Sequence, residues 1–286
     1  MHEKSELSRV FNKKEIKTMR YRYLYLFIFL LGLGITSCQS DFIDGVEVKV
    51  DPKESSSVIT MITQCADGVI NLSIDAPALD RFGVWIDLNG DGKRAEDGTE
   101  NVKVFNNYQE YNLAAGVETI AVYGNITYLG AASNDLTSID VSENNFLNTL
   151  NIAQNLLKSI DLSNNTALTK IDVSENDIET LDVSMNRKLE SLWVYNNNLL
   201  TLDVSNNLQM DFLDCSSNGL TMLDVTANKE LARLLAYNNQ LTSIDISGNE
   251  KLSELWLFGN PFAETEIERL EALFGEKVVG ELWIED

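Results

Sequence analysis

The 286-residue sequence predicts a mainly β solenoid with parallel strands on both faces, a small N-terminal β-domain over one end and a helix–strand cap over the other. Three observations lead there. A pattern of apolar-x-x-apolar-x-apolar-x-x-Asn recurs from Val117 to Asn260. Its asparagines at Asn134, Asn144, Asn155, Asn165, Asn176, Asn186, Asn197, Asn207, Asn218, Asn228, Asn239, Asn249 and Asn260 are spaced alternately 10 and 11 residues apart without a break. The stretches before and after this array lack the pattern and read as short strands on one side and a helix on the other.

Chain geometry explains why the period is the sum of the two spacings. Ten or eleven residues at about 3.3 Å each are too few to circle a hydrophobic core, whereas two such halves close one coil of 21 residues with a short strand in each half. The three apolar anchors of each half point inward and stack on their equivalents one coil away. Each contributes roughly 1.5–3 kcal/mol of burial before entropy is counted. Each asparagine falls where the chain turns, and its buried amide can satisfy turn backbone groups that would otherwise be orphaned. Seven coils at about 4.8 Å give a rod roughly 34 Å long, with only slight curvature expected from halves of nearly equal length.

The units Leu181-Asp182-Val183-Ser184-Met185-Asn186 and Leu202-Asp203-Val204-Ser205-Asn206-Asn207 resemble leucine-rich repeats of the bacterial nested 21-residue subclass, in which both halves of a repeat carry the consensus. The resemblance covers about residues 116–262. It implies a binding module with a protein as ligand. Carboxylate-pair glycosidase chemistry would be the enzymatic alternative, but uniform ladders make no cleft and no acidic pair stands apart, so an enzyme is not expected.

The two faces of such a solenoid differ in composition. One presents Ser138-Asp140-Ser142, Ser159-Asp161-Ser163, Thr180-Asp182-Ser184, Thr201-Asp203-Ser205, Met222-Asp224-Thr226 and Ser243-Asp245-Ser247. This is a column of carboxylates that collects cations or, as a near-invariant triplet favours, a ladder of local hydrogen bonds. The other face varies: Thr149-Asn151-Ala153, Lys170-Asp172-Ser174, Ser191-Trp193-Tyr195, Phe212-Asp214-Ser216, Arg233-Leu235-Tyr237 and Glu254-Trp256-Phe258. Trp193, Tyr195, Phe212, Tyr237, Trp256 and Phe258 would form an exposed aromatic patch around Arg233, the composition of interaction hot spots. The same rings could stack on sugars, with Asp172, Asp214 and Glu254 taking hydroxyls, or pack against one another as cross-strand pairs.

The flanks are expected to close the array, since an open solenoid end exposes core and strand edge. Residues 46–115 contain strand-like runs at Val46–Val50, Val58–Thr63, Val69–Ile74, Gly83–Ile86 and Val102–Phe105, and are read as a small β-domain. Residues 263–286 are read as the C-terminal cap, with a helix over Glu264–Phe274 stopped by Gly275 and a last strand at Val278–Ile284. Between two of the N-terminal strands, Asp87-Leu88-Asn89-Gly90-Asp91-Gly92 resembles the first half of calcium loops of the EF-hand or dockerin type. Asp87, Asn89 and Asp91 would supply oxygens to a structural Ca2+. Gly98 stands where such loops carry the twelfth-position acid, so Glu96, Asp97 or Glu100 would have to substitute. The alternative is an acidic hairpin turn rich in turn formers.

The N-terminal segment reads as an address. Met19-Arg20-Tyr21-Arg22 is basic, Tyr23–Ile35 is an apolar run too short to span a bilayer, and Ile35-Thr36-Ser37-Cys38 resembles a bacterial lipobox. Residues 1–37 would then be a lipoprotein signal segment, with Met1 or Met19 as the start, and 38–45 a tether lipidated at Cys38. The acidic flank Gln39-Ser40-Asp41-Phe42-Ile43-Asp44 resembles an outer-surface export tag. The expected location is therefore the outer membrane or cell surface, held by lipid alone.

The whole chain carries 44 acidic and 22 basic residues, a net charge of −22. Cleavage before Cys38 leaves 41 and 15, which argues against nucleic-acid partners. The only histidine is His2, inside the signal segment, so Ser-His-Asp, Cys-His and His-based zinc chemistry are excluded for the processed chain. Once Cys38 carries lipid, Cys65 and Cys215 make no disulfide framework. The expected function is recognition of an extracellular protein through the aromatic face, with glycan capture for nutrient uptake as the alternative.

Overall fold

The computed structural model describes residues 57–277 and 281–284, together with an antiparallel strand pair, β1 (Phe42–Ile43) and β2 (Val46–Glu47). Cys38 and the expected signal segment lie outside the described residues. The chain divides into two units, Met1–Asp51 and Pro52–Asp286, and the repeats belong to the second. No helix among the described residues is long and apolar enough to cross a membrane.

The repeats form a leucine-rich-repeat β-solenoid. Its strands β8 (Tyr128–Gly130), β10 (Thr149–Asn151), β11 (Lys170–Asp172), β12 (Ser191–Trp193), β13 (Phe212–Asp214), β14 (Arg233–Leu235) and β15 (Glu254–Trp256) lie side by side in one parallel sheet. The register is one coil per step, so Lys170, Ser191, Phe212, Arg233 and Glu254 stand in a single row across the strands. Leu129, Leu150, Ile171, Leu192, Leu213, Leu234 and Leu255 point inward from the strand centres and are all 0% exposed. The apolar anchors of the other half complete the same core.

Parallel ladder pairing runs along one face only: among the described residues the opposite face carries no parallel strand, which corrects the expectation of parallel strands on both faces. In the half without parallel strands, coils are joined by few backbone bonds, such as Asp177 N–H to Leu157 O at 2.9 Å. The chain there turns twice in succession, with Asn165 N–H on Leu162 O and Leu168 N–H on Asn165 O. Asp161 Oδ1 accepts Ser163 N–H at 2.9 Å, and Asp182 and Asp203 do the same with Ser184 and Ser205. Local bonds thus take donors that a ladder would need.

The asparagines divide into two kinds. In the halves that carry the parallel strands, Asn176 Nδ2 donates to Ile152, Val173 and Ser174 carbonyls, and its Oδ1 accepts the Leu157 N–H of the preceding coil at 3.0 Å. Asn197 and Asn239 repeat the arrangement. The residue before each of them, Glu175, Asn196 or Asn238, is left-handed at φ 53°, which turns the chain so that the amide faces inward. In the halves without parallel strands, Asn186 Nδ2 donates to Leu162 O and Asn165 O. Oδ1 of Asn165, Asn186, Asn207, Asn228 and Asn249 is buried with no hydrogen-bond partner.

At the N-terminal end, β3 (Val58–Thr63) pairs antiparallel with β7 (Thr119–Tyr123) and β9 (Leu136–Asp140), and β5 (Trp85–Asp87) pairs with β7. Strand β4 (Val69–Asp75) lies antiparallel to β8 and so extends the solenoid sheet, with β6 (Tyr108–Asn112) beyond it. The expected strand at Val102–Phe105 does not form. Val102 is buried as a plug, and the strand lies instead at Tyr108–Asn112, whose polar alternation reveals its pairing only once β4 is beside it.

At the other end, helix α1 spans Glu264–Lys277 and runs through Gly275, the residue expected to stop it. Glycine costs a helix about 1 kcal/mol relative to alanine, less than the burial of Leu270 and Phe274 on its inner side contributes. Strand β16 (Glu281–Trp283) then pairs parallel with β15 as the last rung of the sheet.

Candidate ligand-binding face

Three outward columns run across the parallel strands. The first holds Tyr128, Thr149, Lys170, Ser191, Phe212, Arg233 and Glu254, and the second Gly130, Asn151, Asp172, Trp193, Asp214, Leu235 and Trp256. Two residues further along each chain, Ser174, Tyr195, Ser216, Tyr237 and Phe258 make the third. All seven aromatic-face candidates therefore share one side of the sheet, as the repeat register requires.

They form two groups rather than one continuous patch. Trp193 and Phe212 have ring centroids 4.8 Å apart, and the Arg233 guanidinium lies 4.5 Å over the Phe212 ring. Phe212 is covered on both sides and only 6% exposed, so it supports its neighbours instead of offering its own ring; this corrects its place in the exposed patch. In the second group Tyr237 stacks on Phe258 at 4.6 Å and meets Trp256 at 6.3 Å. Trp193, Tyr195, Tyr237, Trp256 and Phe258 are half-buried, and Arg233 is exposed. Tyr195 Oη donates to Glu175 Oε1 at 3.1 Å, which fixes its ring.

Asp172 and Asp214 flank Trp193 in the second column. Oδ1 of each accepts the N–H and the hydroxyl of the serine two residues on, Ser174 and Ser216. Removal from water raises both carboxyls above the usual range, and the serine bonds only partly oppose it. On the opposite face, hydrogen bonds from Ser or Thr hydroxyls hold Asp140, Asp161, Asp182, Asp203, Asp224 and Asp245 below it. The same residue type thus has opposite chemistry on the two faces, and the serine–aspartate column is a ladder of local hydrogen bonds.

Tyr108 was not legible as part of this face. It arrives on β6, outside the repeats, and its hydroxyl meets that of Tyr128 over Gly130, where a Cβ would approach both oxygens to 2.8 Å. Desolvation pushes the Tyr108 phenol up to about 12.

The acidic loop is closed by its own backbone. Asp87 Oδ1 and Oδ2 accept Gly90 and Gly92 N–H at 2.7 and 2.8 Å, Asn89 Oδ1 accepts Asp91 N–H, and Asp91 Oδ1 accepts Lys93 N–H. Glu100, 3% exposed, ties the far side by accepting Leu88 and Ala95 N–H. Among the described residues no group of three or more His, Cys, Asp or Glu is arranged to hold a metal. Cys65 and Cys215 are free thiols, and burial pushes the Cys215 thiol up.

Neither a protein-family model nor a curated protein matches the chain. Solved structures do. The functional domain of InlJ from Listeria monocytogenes, described as including a cysteine ladder, is 40% identical over 48% of this chain and 30% of that one, with a TM-score of 0.47. A leucine-rich-repeat protein of Leptospira interrogans is 25% identical over 51% of this chain and 38% of its own, at 0.46. The internalin InlF of L. monocytogenes is 22% identical over 54% and 48%, at 0.48. The chain thus spans less than half the length of each of these proteins.

Proposed function

We propose that the chain is a recognition module that binds a protein ligand through the aromatic side of its parallel sheet, carried at the cell surface on a lipid at Cys38. The observation that supports this reading most is the placement of Trp193, Tyr195, Tyr237, Trp256 and Phe258, half-exposed in outward columns where solvent-facing strand positions favour polar residues. Large rings with an exposed arginine are over-represented where binding energy concentrates. Short parallel strands held by a rigid asparagine-bonded core keep these side chains at fixed spacings, so little ordering is needed on binding.

The test compares the parent with a Trp193→Ser, Tyr195→Ser, Trp256→Ser, Phe258→Ser variant in a screen against extracellular proteins and glycans. A variant that keeps its melting behaviour and loses a protein ligand of the parent supports the reading. A glycan ligand lost in its place transfers the face to sugar capture, and a melt far below the parent makes these rings packing elements. The anchor is checked separately: Cys38→Ala is expected to move nearly all of the protein from the membrane pellet to the supernatant. Unchanged membrane retention would sink the lipid proposal.

A further inference from the structure

We infer that the partner presents a lysine or arginine side chain to the indole of Trp193, where the carboxylates of Asp172 and Asp214 hold it from either flank. This rests on the aromatic side being the protein-binding surface and names the chemistry it selects. The sheet register places Asp172 one strand before Trp193 and Asp214 one strand after it. At the strand spacing of a β-sheet the two acids are about 10 Å apart, with the indole between them.

Each carboxylate has capacity left. Serine donors occupy Oδ1 of both. Among the described residues no hydrogen bond reaches Oδ2 of either, and neither pairs with a lysine or arginine. Asp214 is nonetheless only 7% exposed and Asp172 is half-buried. A desolvated carboxylate without a counter-charge is unfavourable, and an incoming cation offsets that penalty. Tryptophan is also the best cation–π face among side chains. A guanidinium or ammonium on Trp193 would satisfy both features at once.

The surrounding side chains carry charges of both signs. Lys170 on β11 and Arg233 on β14 stand in the first column, and the Arg233 guanidinium is turned onto Phe212. Glu175 beside Tyr195 and Glu254 on β15 add negative charge, and the Tyr108 phenol stays neutral at physiological pH. The whole chain carries −22, which steers cationic partners toward it.

Titration of the full chain with acetyl-tetra-arginine-amide, acetyl-tetra-glutamate-amide and maltoheptaose tests the inference. Tetra-arginine is expected to bind the parent. It should bind Asp172→Asn/Asp214→Asn at least tenfold more weakly, and Asp161→Asn/Asp203→Asn on the opposite face as the parent does. Asparagine fits the altered positions, because Asn151 in the same column already accepts Ala153 N–H through Oδ1 at 3.1 Å. Both acids bind protons more tightly in the fold than in the unfolded chain, so acidification neutralises them early. Parental binding should therefore fall with pH, starting above the ordinary aspartate value of about 3.9. The inference is overturned if tetra-arginine does not bind, or binds all three chains equally. Tetra-glutamate binding alone would overturn the cation while leaving a protein-binding face. Maltoheptaose binding that Trp193→Ala abolishes, with neither peptide bound, would sink the protein reading as well.

Discussion

Asn176→Ala is expected to lower the unfolding free energy by about 3 kcal/mol, and Asn186→Ala by about 1 kcal/mol. Both asparagines are buried and belong to the same sequence pattern, yet their bonds differ. Removing Asn176 strands the Leu157 N–H inside the core, because Asn176 Oδ1 is its hydrogen-bond acceptor. The three carbonyls it serves keep other donors: Asn155 Nδ2 on Ile152 O, Asn197 Nδ2 on Val173 O and Gln154 N–H on Ser174 O. The loss is therefore dominated by one orphaned donor plus the missing bonds. Removing Asn186 orphans nothing. Leu162 O retains Asn165 N–H, Asn165 O retains Leu168 N–H, and the unpartnered Asn186 Oδ1 is itself deleted. Urea unfolding of the two variants measures the difference, and equal losses would contradict this account of the two asparagine rows.

Deleting residues 263–286 is expected to cost roughly 5–9 kcal/mol, enough to unfold or aggregate the chain. Leu270, Phe274 and Ile284 are 0%, 4% and 8% exposed and lose that burial outright. The last coil loses its cover too, over Leu252, Leu255 and Leu257. Backbone groups are uncovered as well. Arg269 donates to Ile244 O at 2.6 Å, and Glu266 Oε1 accepts Ile244 N–H at 3.2 Å, so the helix caps a part of the last coil that no further repeat would reach. Without β16, the β15 edge is left open to pairing between chains. Thermal melts with size-exclusion chromatography check this. A monodisperse truncated chain with the parental melting temperature would show that the repeats need no C-terminal cap.

The residues named for the aromatic face lie together because their columns follow directly from a 21-residue period. Phe212 is the exception. Period and alternation place its ring outward, but the sequence does not show that Trp193 and Arg233 fold over it from adjacent coils. Tyr108 was missed for a related reason: it reaches the face from outside the repeats, through the pairing of β6 with β4 and of β4 with β8. Gly275 misled as a stop because a local helix propensity was weighed without the packing of α1.

The sequence by itself determined the coil length, the inward anchors, the asparagine positions and the division into two unlike faces. All of these are periodic properties of a chain closing on its own core. The tertiary structure decided which half of each coil forms the ladder, because that depends on whether local turns and aspartate bonds take the backbone donors first. It also decided that Asn176 and Asn186 are chemically different. And it made Asp172 and Asp214 unlike Asp161 and Asp203, since desolvation depends on neighbours brought from other coils.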